Sequence, residues 1–181
     1  MTTGTTTLVI GGCRSGKSDH GQRLAEAAGH SRLYVATCVP ADDEMHARVK
    51  RHREGRGERW DTIEEPLDIS DVILLKKQQY DVVLIDCLTL WTTQLTLAEA
   101  TDDEVSRRLD DLAAAMAAPG APLIFVTNEV GCGIVPENAL ARRFRDLAGQ
   151  VNRTVAARAE RVVWVVAGIP VTIKPTGGGA A

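Results

Sequence analysis

Long apolar runs, closely spaced cysteine pairs and an excess of positive charge are all missing from this 181-residue chain. No window approaches roughly 18 consecutive apolar residues, and the first residues form neither a basic nor an apolar segment, so we expect no membrane span and no export. The four cysteines form no C-x-x-C pair, which favours reduced thiols in the cytoplasm over a zinc site or disulfides. The formal net charge of −3 disfavours non-specific binding of nucleic acid by the whole protein.

What the chain does have is an ordinary globular composition, with 44% apolar and 25% charged residues. Its length suits one domain, which we expect to span residues 1–181 with flexible ends at 1–5 and 177–181. Strand patterns alternate with helical patterns along the whole length. This alternation predicts an α/β fold with a mostly parallel central sheet flanked by helices.

A glycine-rich segment from Gly11 to Ser18 fits G-x-x-x-x-G-K-[ST] at every fixed position. The β-branched run Thr7 to Ile10 precedes it, and a helical pattern with Leu24, Ala27 and Ala28 on one stripe follows it. This is the strand–loop–helix context that a P-loop requires. Because its backbone N–H groups point inward and the following helix adds partial positive charge, the segment is predicted to cradle phosphates.

Three side chains are expected to act on the bound phosphates and their metal ion. Lys17 would reach the β- and γ-phosphates, and the Ser18 hydroxyl would take one position on Mg²⁺. The apolar run Asp81 to Asp86 predicts a buried strand next to the cradle, and its terminal Asp86 would help to hold the Mg²⁺, although an N-capping aspartate is the alternative. Together these features predict a P-loop NTPase fold of the RecA-like kind, with an antiparallel edge strand over Gly168 to Lys174.

The remaining pattern assigns the other elements. Strands are predicted over Arg32–Ala36, Leu123–Thr127 and Val162–Val166. Helices are predicted over Asp42–Glu54, Leu67–Leu75 (with Pro66 near its first turn and Ile63 leading in), Thr101 to about Pro119, and Asn138–Arg161. The core-facing positions of the last two helices are Val105, Leu109, Leu112 and Met116, and Leu140, Phe144, Leu147, Val151 and Val155. A solvated or subunit-facing surface is expected at Arg142, Arg143, Arg145 and Arg153.

The loop from Asn128 to Asn138 follows the predicted strand Leu123–Thr127. Ligands of open α/β sheets bind beyond the carboxyl ends of the strands. We therefore expect this loop to contact substrate.

A basic segment interrupts the acidic chain between Arg48 and Arg59, where six Arg and Lys residues accompany two glutamates. An anionic partner is expected there. The neighbouring positive charges disfavour protonation of His52 and so favour a low pKa for its imidazole. A neutral imidazole in line with an α-phosphate could displace pyrophosphate and carry the nucleotide as a phosphoramidate. From the residues alone, a surface histidine without a special role stays open, and His46 is the reserve nucleophile.

A series of motifs covers roughly Leu8 to Lys174 in order. They are G-G-x-R-S-G-K-S, A-T-x, D-D-E-M-x-x-R-[IV]-x-x-H, W-x-T-x-E-x-P, [LI]-[IL]-D-C-L-T-L-W, N-E-V-G-x-G-I-V-P-E-N, R-x-F-R-D-x-x-G-x-x-N and G-x-P-x-x-I-K. In this set the chain resembles the adenosylcobinamide kinase/adenosylcobinamide-phosphate guanylyltransferase family of cobalamin biosynthesis. The set is far more specific than a P-loop alone.

The resemblance implies two reactions: phosphorylation of the aminopropanol hydroxyl of adenosylcobinamide by ATP or GTP, and transfer of GMP from GTP to that phosphate, which gives adenosyl-GDP-cobinamide. It places the histidine that carries GMP on His52, which with the cradle lysine Lys17 makes up the expected catalytic residues. It also implies homo-oligomers, trimers among them. The nucleotide contacts that it implies are Gly11, Gly12, Cys13, Arg14, Ser15, Gly16, Lys17, Ser18, Ala36, Thr37, Cys38, Arg53, Glu54, Gly55, Arg56, Glu64 and Asp86.

Two positions depart from the family pattern. Some members carry paired histidines where this chain has Arg51 and His52, and many carry alanine at the position of Cys13. Three alternatives stay open at this stage. They are a kinase without nucleotide transfer, a guanylyltransferase without kinase activity, and a RecA-like nucleotide-dependent binding module whose basic segment docks nucleic acid.

Overall fold

The computed structural model describes residues 4–39 and 59–176. The described strands are β1 (Thr6–Gly11), β2 (Arg32–Ala36), β3 (Trp60–Glu64), β4 (Val82–Asp86), β5 (Leu123–Asn128), β6 (Arg161–Val166) and β7 (Ile169–Lys174). The described helices are α1 (Lys17–Ala28), α2 (Ile69–Lys76), α3 (Leu88–Leu97), α4 (Asp102–Ala117) and α5 (Ala139–Arg158). Within the two described stretches, no helix is both long and apolar enough to cross a membrane.

The described strands form one seven-stranded sheet in the order β3-β2-β4-β5-β1-β6-β7. Every pair is parallel except β6–β7, which is antiparallel, so the predicted C-terminal edge strand is confirmed. One expectation is wrong: the strand that ends at Asp86 does not lie next to the cradle strand, because β5 lies between β1 and β4. Strand order depends on which crossovers bury the most apolar surface, and a local pattern does not contain that information.

Both faces of the sheet are buried, which explains why its central strands are almost continuously apolar. One face, with Leu8, Val83 and Phe125, packs against the four helices α2 to α5. The opposite face, with Val9 and Leu84 among others, packs against α1. Because β1 to β6 run parallel to one another, their carboxyl ends lie together at one edge of the sheet.

Helix α1 contacts the sheet through a different stripe from the predicted one. Gly21 and Ala25 are buried, whereas Leu24 is half-buried and Ala27 and Ala28 are exposed. A Cβ atom on Gly21 would lie only 2.9 Å from the Cγ2 atom of Val126. Small residues at this contact let α1 lie close to β5, and a search for large apolar side chains overlooks them.

The region between β2 and β4 departs from prediction at two points. A strand, β3, occupies Trp60–Glu64, where only a connection was expected. Helix α2 begins at Ile69 instead of Leu67, so Pro66 lies outside the helix. The Glu65 carboxylate accepts hydrogen bonds from the backbone N–H groups of Leu67 and Asp68, at 2.9 and 2.8 Å, and this turn takes the chain into the helix.

Helix α3 was not predicted, because its sequence LTLWTTQLTL is apolar and threonine-rich all round and has no polar face. Three of its threonine hydroxyls donate to a backbone carbonyl one turn earlier. Helix α4 is confirmed: all four predicted core positions are buried, and Thr101 and Glu104 form a capping box. In α5 the prediction for Leu140 is wrong, since this side chain is 50% exposed.

Candidate active site

The glycine-rich segment forms a tight loop between β1 and α1. The Ser15 N–H donates to the Gly12 carbonyl at 3.3 Å, and Gly16 has a left-handed φ of 87°. The Lys17 ammonium folds back over the loop and donates to the Gly12 carbonyl at 3.1 Å. Gly11 tolerates no side chain, because a Cβ atom there would lie 2.6 Å from the backbone oxygen of Val165 and 2.6 Å from the Ser15 Oγ atom. The loop therefore has the strand–turn–helix geometry that a phosphate cradle needs.

The ends of two neighbouring strands hold this loop in place. The Gly168 N–H, in the turn between β6 and β7, donates to the Ser15 carbonyl at 2.9 Å. On the other side, the Glu129 N–H donates to the Gly11 carbonyl at 3.1 Å. The sequence pattern did not indicate this role for the β6–β7 turn, although the positive φ of 82° at Gly168 accounts for the glycine.

Asp86 ends β4 at the same edge of the sheet. It is half-buried, and its Oδ2 atom accepts a hydrogen bond of 3.1 Å from the Tyr34 hydroxyl. In the sheet register, Ala36 lies opposite both Asp86 and Glu64. Ala36 and Glu64 were indicated only by the resemblance to the family. The sheet places both level with Asp86, which the sequence pattern itself predicts as a Mg²⁺ ligand.

Thr37 and Cys38 follow β2 at this edge. Thr37 is fully buried, and its hydroxyl is engaged with the backbone of Cys87. Burial raises the pKa of the Cys87 thiol to about 11. This thiol is therefore protonated and inert at neutral pH.

The residues present fit a magnesium ion. Ser18 offers a hydroxyl and Asp86 a carboxylate, and oxygen donors of this kind suit Mg²⁺, which takes most of its other ligands from water and substrate phosphates. Among the described residues, no group of three or more His, Cys, Asp or Glu could hold a metal ion by itself. A metal here would therefore depend on the bound nucleotide for much of its coordination.

The loop after β5 stands at the same edge. Its apolar residues Ile134 and Val135 are 97% and 62% exposed. Arg145 donates to the Gly131 carbonyl and Arg142 donates to the Pro136 carbonyl at 3.0 Å. These two arginines were expected on a solvated or subunit-facing surface; Arg142 is exposed and Arg145 is half-buried, and from this surface of α5 both brace the loop.

The histidines differ in what the structure shows of them. His20 on α1 is half-buried; burial lowers its pKa below the usual 6.5, and the charges of Arg23 and Arg161 lower it further. The exposed His30 lies 3.1 Å from an Arg59 nitrogen. His46 and His52 lie outside the described residues, as do Arg53, Glu54, Gly55 and Arg56, the predicted helix Asp42–Glu54 and all of the basic segment except Arg59.

A known protein family matches nearly the whole chain. The family model described as cobinamide kinase/cobinamide phosphate guanyltransferase matches residues 7–173. The chain is 41% identical over 179 residues to the bifunctional adenosylcobalamin biosynthesis protein CobU of Escherichia coli (strain K12), covering 92% of this chain and 98% of that protein. It is 42% identical over 180 residues to the protein of the same name in Salmonella typhimurium, with the same coverages.

Among solved structures, PH0250 from Pyrococcus horikoshii OT3 aligns over 97% of this chain and 88% of its own, with a TM-score of 0.59 and 8% sequence identity. At this identity the likeness shows the fold alone. Together with the strand order, it confirms the predicted α/β fold with a mostly parallel central sheet flanked by helices.

Proposed function

Because this chain belongs to the cobinamide kinase/cobinamide phosphate guanyltransferase family, we propose that its P-loop, Asp86 and His52 carry out that family's two reactions. The protein is a bifunctional enzyme of adenosylcobalamin biosynthesis, a kinase and a guanylyltransferase. The observation that carries the assignment of roles is the Lys17 ammonium folded over the Gly12 carbonyl, inside a loop built for phosphates.

In the kinase step, the hydroxyl of adenosylcobinamide attacks the γ-phosphorus of ATP or GTP. A new P–O bond to the acceptor forms as the bond to the nucleoside diphosphate breaks, and the hydroxyl proton passes to solvent. The cradle from Gly11 to Ser18 holds the β- and γ-phosphates, and Lys17 neutralises charge that develops on them.

In the guanylyl step, we propose that an imidazole nitrogen of His52 attacks the α-phosphorus of GTP. A P–N bond forms and pyrophosphate leaves. The phosphate of adenosylcobinamide phosphate then attacks the same phosphorus, so that a P–O bond forms, the P–N bond breaks and His52 is regenerated. The motif spacing and the cationic neighbours Arg51 and Arg53 support this role.

Ser18 and Asp86 are proposed to hold the Mg²⁺ of the nucleotide complex, and this ion would neutralise the phosphates during transfer. Ala36, Thr37, Cys38 and Glu64 are proposed to line the nucleotide site, with Arg53, Glu54, Gly55 and Arg56. Because the Thr37 hydroxyl is already engaged with Cys87, a contact from this residue would come from its backbone.

The corrinoid acceptor is proposed to dock against the loop between β5 and α5. A large, partly apolar macrocycle would cover Ile134 and Val135, the exposed apolar side chains of this loop, which lies at the same edge of the sheet as the cradle. The two arginines Arg142 and Arg145 would keep the loop in place for it.

We further propose a homo-oligomer, with a trimer as the family suggests, in the cytoplasm and without a nucleic-acid partner. The exposed apolar side chains of the β6–β7 edge support self-association. They are Trp164, Val166, Ile169, Val171 and Ile173. Sedimentation equilibrium at micromolar concentration tests this proposal, and a monomer would contradict it.

The experiment that tests the roles in the cradle compares Lys17→Ala with Lys76→Ala, a lysine on the outer helix α2. Both transfers should fall together by about 100-fold or more in Lys17→Ala, since both use the same cradled triphosphate. The Lys76 variant should keep both. Survival of either transfer in Lys17→Ala would show a second nucleotide site.

A further inference from the structure

Four polar residues close a ring of hydrogen bonds at the carboxyl end of β5. The Asn128 N–H donates to the Thr89 hydroxyl at 2.7 Å, and the Thr127 hydroxyl donates to Asn152 Oδ1 at 2.7 Å. The two hydroxyls are 3.4 Å apart, and since the Thr127 proton is already used, Thr89 is the donor between them. Asn152 Nδ2 then donates to the Asn128 carbonyl at 3.0 Å, which returns the ring to its starting residue.

This ring joins three elements of the fold at the carboxyl end of β5. Thr89 comes from α3, Thr127 from β5 and Asn152 from α5, and all three are buried. Each donor in the ring has one acceptor, and such satisfied buried networks are rigid. The ring therefore fixes the backbone of Asn128 from both sides, at its N–H and at its carbonyl.

The Asn128 side chain is in the opposite situation. Its Oδ1 atom is buried and has no hydrogen-bond partner among residues 4–39 and 59–176. In the sheet register Asn128 lies opposite Gly11, the first residue of the cradle, and two residues earlier Val126 lies opposite Asp86. An acceptor that has no donor within the described part of the chain is thus held between the cradle and the carboxylate, where a bound substrate could supply the donor.

We propose that Asn128 contacts substrate through its carboxamide oxygen, which accepts a hydrogen bond from an O–H group. Thr89, Thr127 and Asn152 are positioning residues that hold it there. This inference rests on the proposed function. The O–H group has two sources, the hydroxyl of the cobinamide acceptor and a hydroxyl or bound water of the nucleotide complex.

Asn128→Ala tests the contact itself. Without ligand, its melting temperature should equal or exceed that of the wild type, because the substitution removes a buried oxygen to which none of the described residues donates. Its turnover should fall about tenfold or more. Wild-type turnover would overturn the contact, and so would a large loss of ligand-free stability, which would make Asn128 a structural residue.

Thr127→Val and Thr127→Ser test the ring. The valine variant opens the ring and should lower kcat by about tenfold with little change in KM for GTP, whereas the serine variant keeps the hydroxyl and should restore kcat. Thr92→Val is the matched control, since Thr92 is a buried threonine on α3 whose hydroxyl donates within its own helix, at the Leu88 carbonyl, and is not part of the ring. If all three variants behave alike, the ring has no positioning role.

Separate assays of the kinase step and the guanylyl step in Asn128→Ala identify the source of the O–H group. Loss of the kinase step alone, with an unchanged GTP-induced rise in melting temperature, assigns the donor to the cobinamide hydroxyl. Loss of both steps with a smaller rise assigns it to the nucleotide complex. Wild-type protein measured in parallel separates the proposed function from the role of Asn128. If the wild type performs neither transfer, the proposed function fails. If the wild type performs both transfers and Asn128→Ala is equally active, only the role of Asn128 fails.

Discussion

The Thr37 hydroxyl and the Cys87 backbone exchange two hydrogen bonds. Thr37 Oγ1 donates to the Cys87 carbonyl at 2.7 Å and accepts from the Cys87 N–H at 2.8 Å. Thr37 follows β2, and Cys87 directly follows Asp86 at the end of β4. One buried hydroxyl thus sets the spacing between two strand ends at the candidate active site.

Thr37→Val should lower the free energy of unfolding by about 1–3 kcal/mol, because it leaves the buried Cys87 N–H without its acceptor. It also removes one donor to the Cys87 carbonyl, which keeps its hydrogen bond from the Trp91 N–H at 3.2 Å. Thr37→Ser keeps the hydroxyl and should lose less. Urea denaturation of the three proteins measures the difference. Equal stability of Thr37→Val and wild type would show that the exchange contributes nothing to folding.

Lys77 is a buried lysine that should matter for stability and not for chemistry. It is 1% exposed, and its ammonium donates to the carbonyls of Ala115, Met116 and Ala118 at the end of α4. Lys77→Met should cost about 3 kcal/mol, since these carbonyls lose a charged donor.

The control for this change is Lys76→Met, since the Lys76 ammonium donates to the Gln79 side chain at the surface, at 3.3 Å. It should be close to neutral. Thermal unfolding measures the stability of both variants. A Lys77→Met protein as stable as Lys76→Met would show that the hydrogen bonds of Lys77 to the end of α4 do not stabilise the fold.

His20 should make stability depend on pH. Burial lowers its pKa in the folded protein below the usual 6.5, with Arg23 and Arg161 adding to the effect. The unfolded chain therefore takes up this proton first as the pH falls. The stability that neutral His20 contributes is present above pH 6.5 and is lost as the pH falls toward the folded-state pKa.

Chemical denaturation between about pH 7.5 and 5.5 measures this dependence. The free energy of unfolding of the wild type should fall more steeply than that of His20→Gln over this range. Parallel curves for the two proteins would show that His20 has the same pKa in the folded and unfolded states.

The cysteines report occupancy of the cradle. Cys13 and Cys132 are exposed, whereas Cys87 is buried with a pKa of about 11. Iodoacetamide should therefore modify Cys13 and Cys132 and spare Cys87. GTP with Mg²⁺ should protect Cys13 and leave Cys132 reactive, as peptide mapping would reveal. Equal modification of Cys13 with and without GTP would place the nucleotide elsewhere.

Local sequence signals were enough for the elements whose cause is local. The spacing of Gly11, Gly16 and Lys17 defines the cradle, and the Thr101–Glu104 capping box with the apolar stripe behind it defines α4. In contrast, β3 is a short edge strand whose half-buried and exposed residues do not alternate regularly, and α3 has no polar face. Neither element therefore has a pattern that a period of two or 3.6 detects.

The rest depends on contacts between residues distant in sequence. The placement of β5 between β1 and β4 follows from packing of the whole sheet. The bonds from Arg142 and Arg145 to the loop after β5, and the ring through Thr89 and Asn152, join segments that no local window contains. For the same reason, the register that aligns Ala36, Glu64 and Asp86 became visible only in the structure.

The central claim is that His52 carries GMP, and covalent labelling tests it most directly. Wild-type protein, His52→Asn and His46→Asn would be incubated with GTP labelled at the α-phosphate and Mg²⁺, then denatured. Wild type and His46→Asn should retain label that is acid-labile and base-stable, as expected of a phosphoramidate, and His52→Asn should retain none. No label on wild-type protein that binds GTP, or label that persists in His52→Asn, would contradict the account.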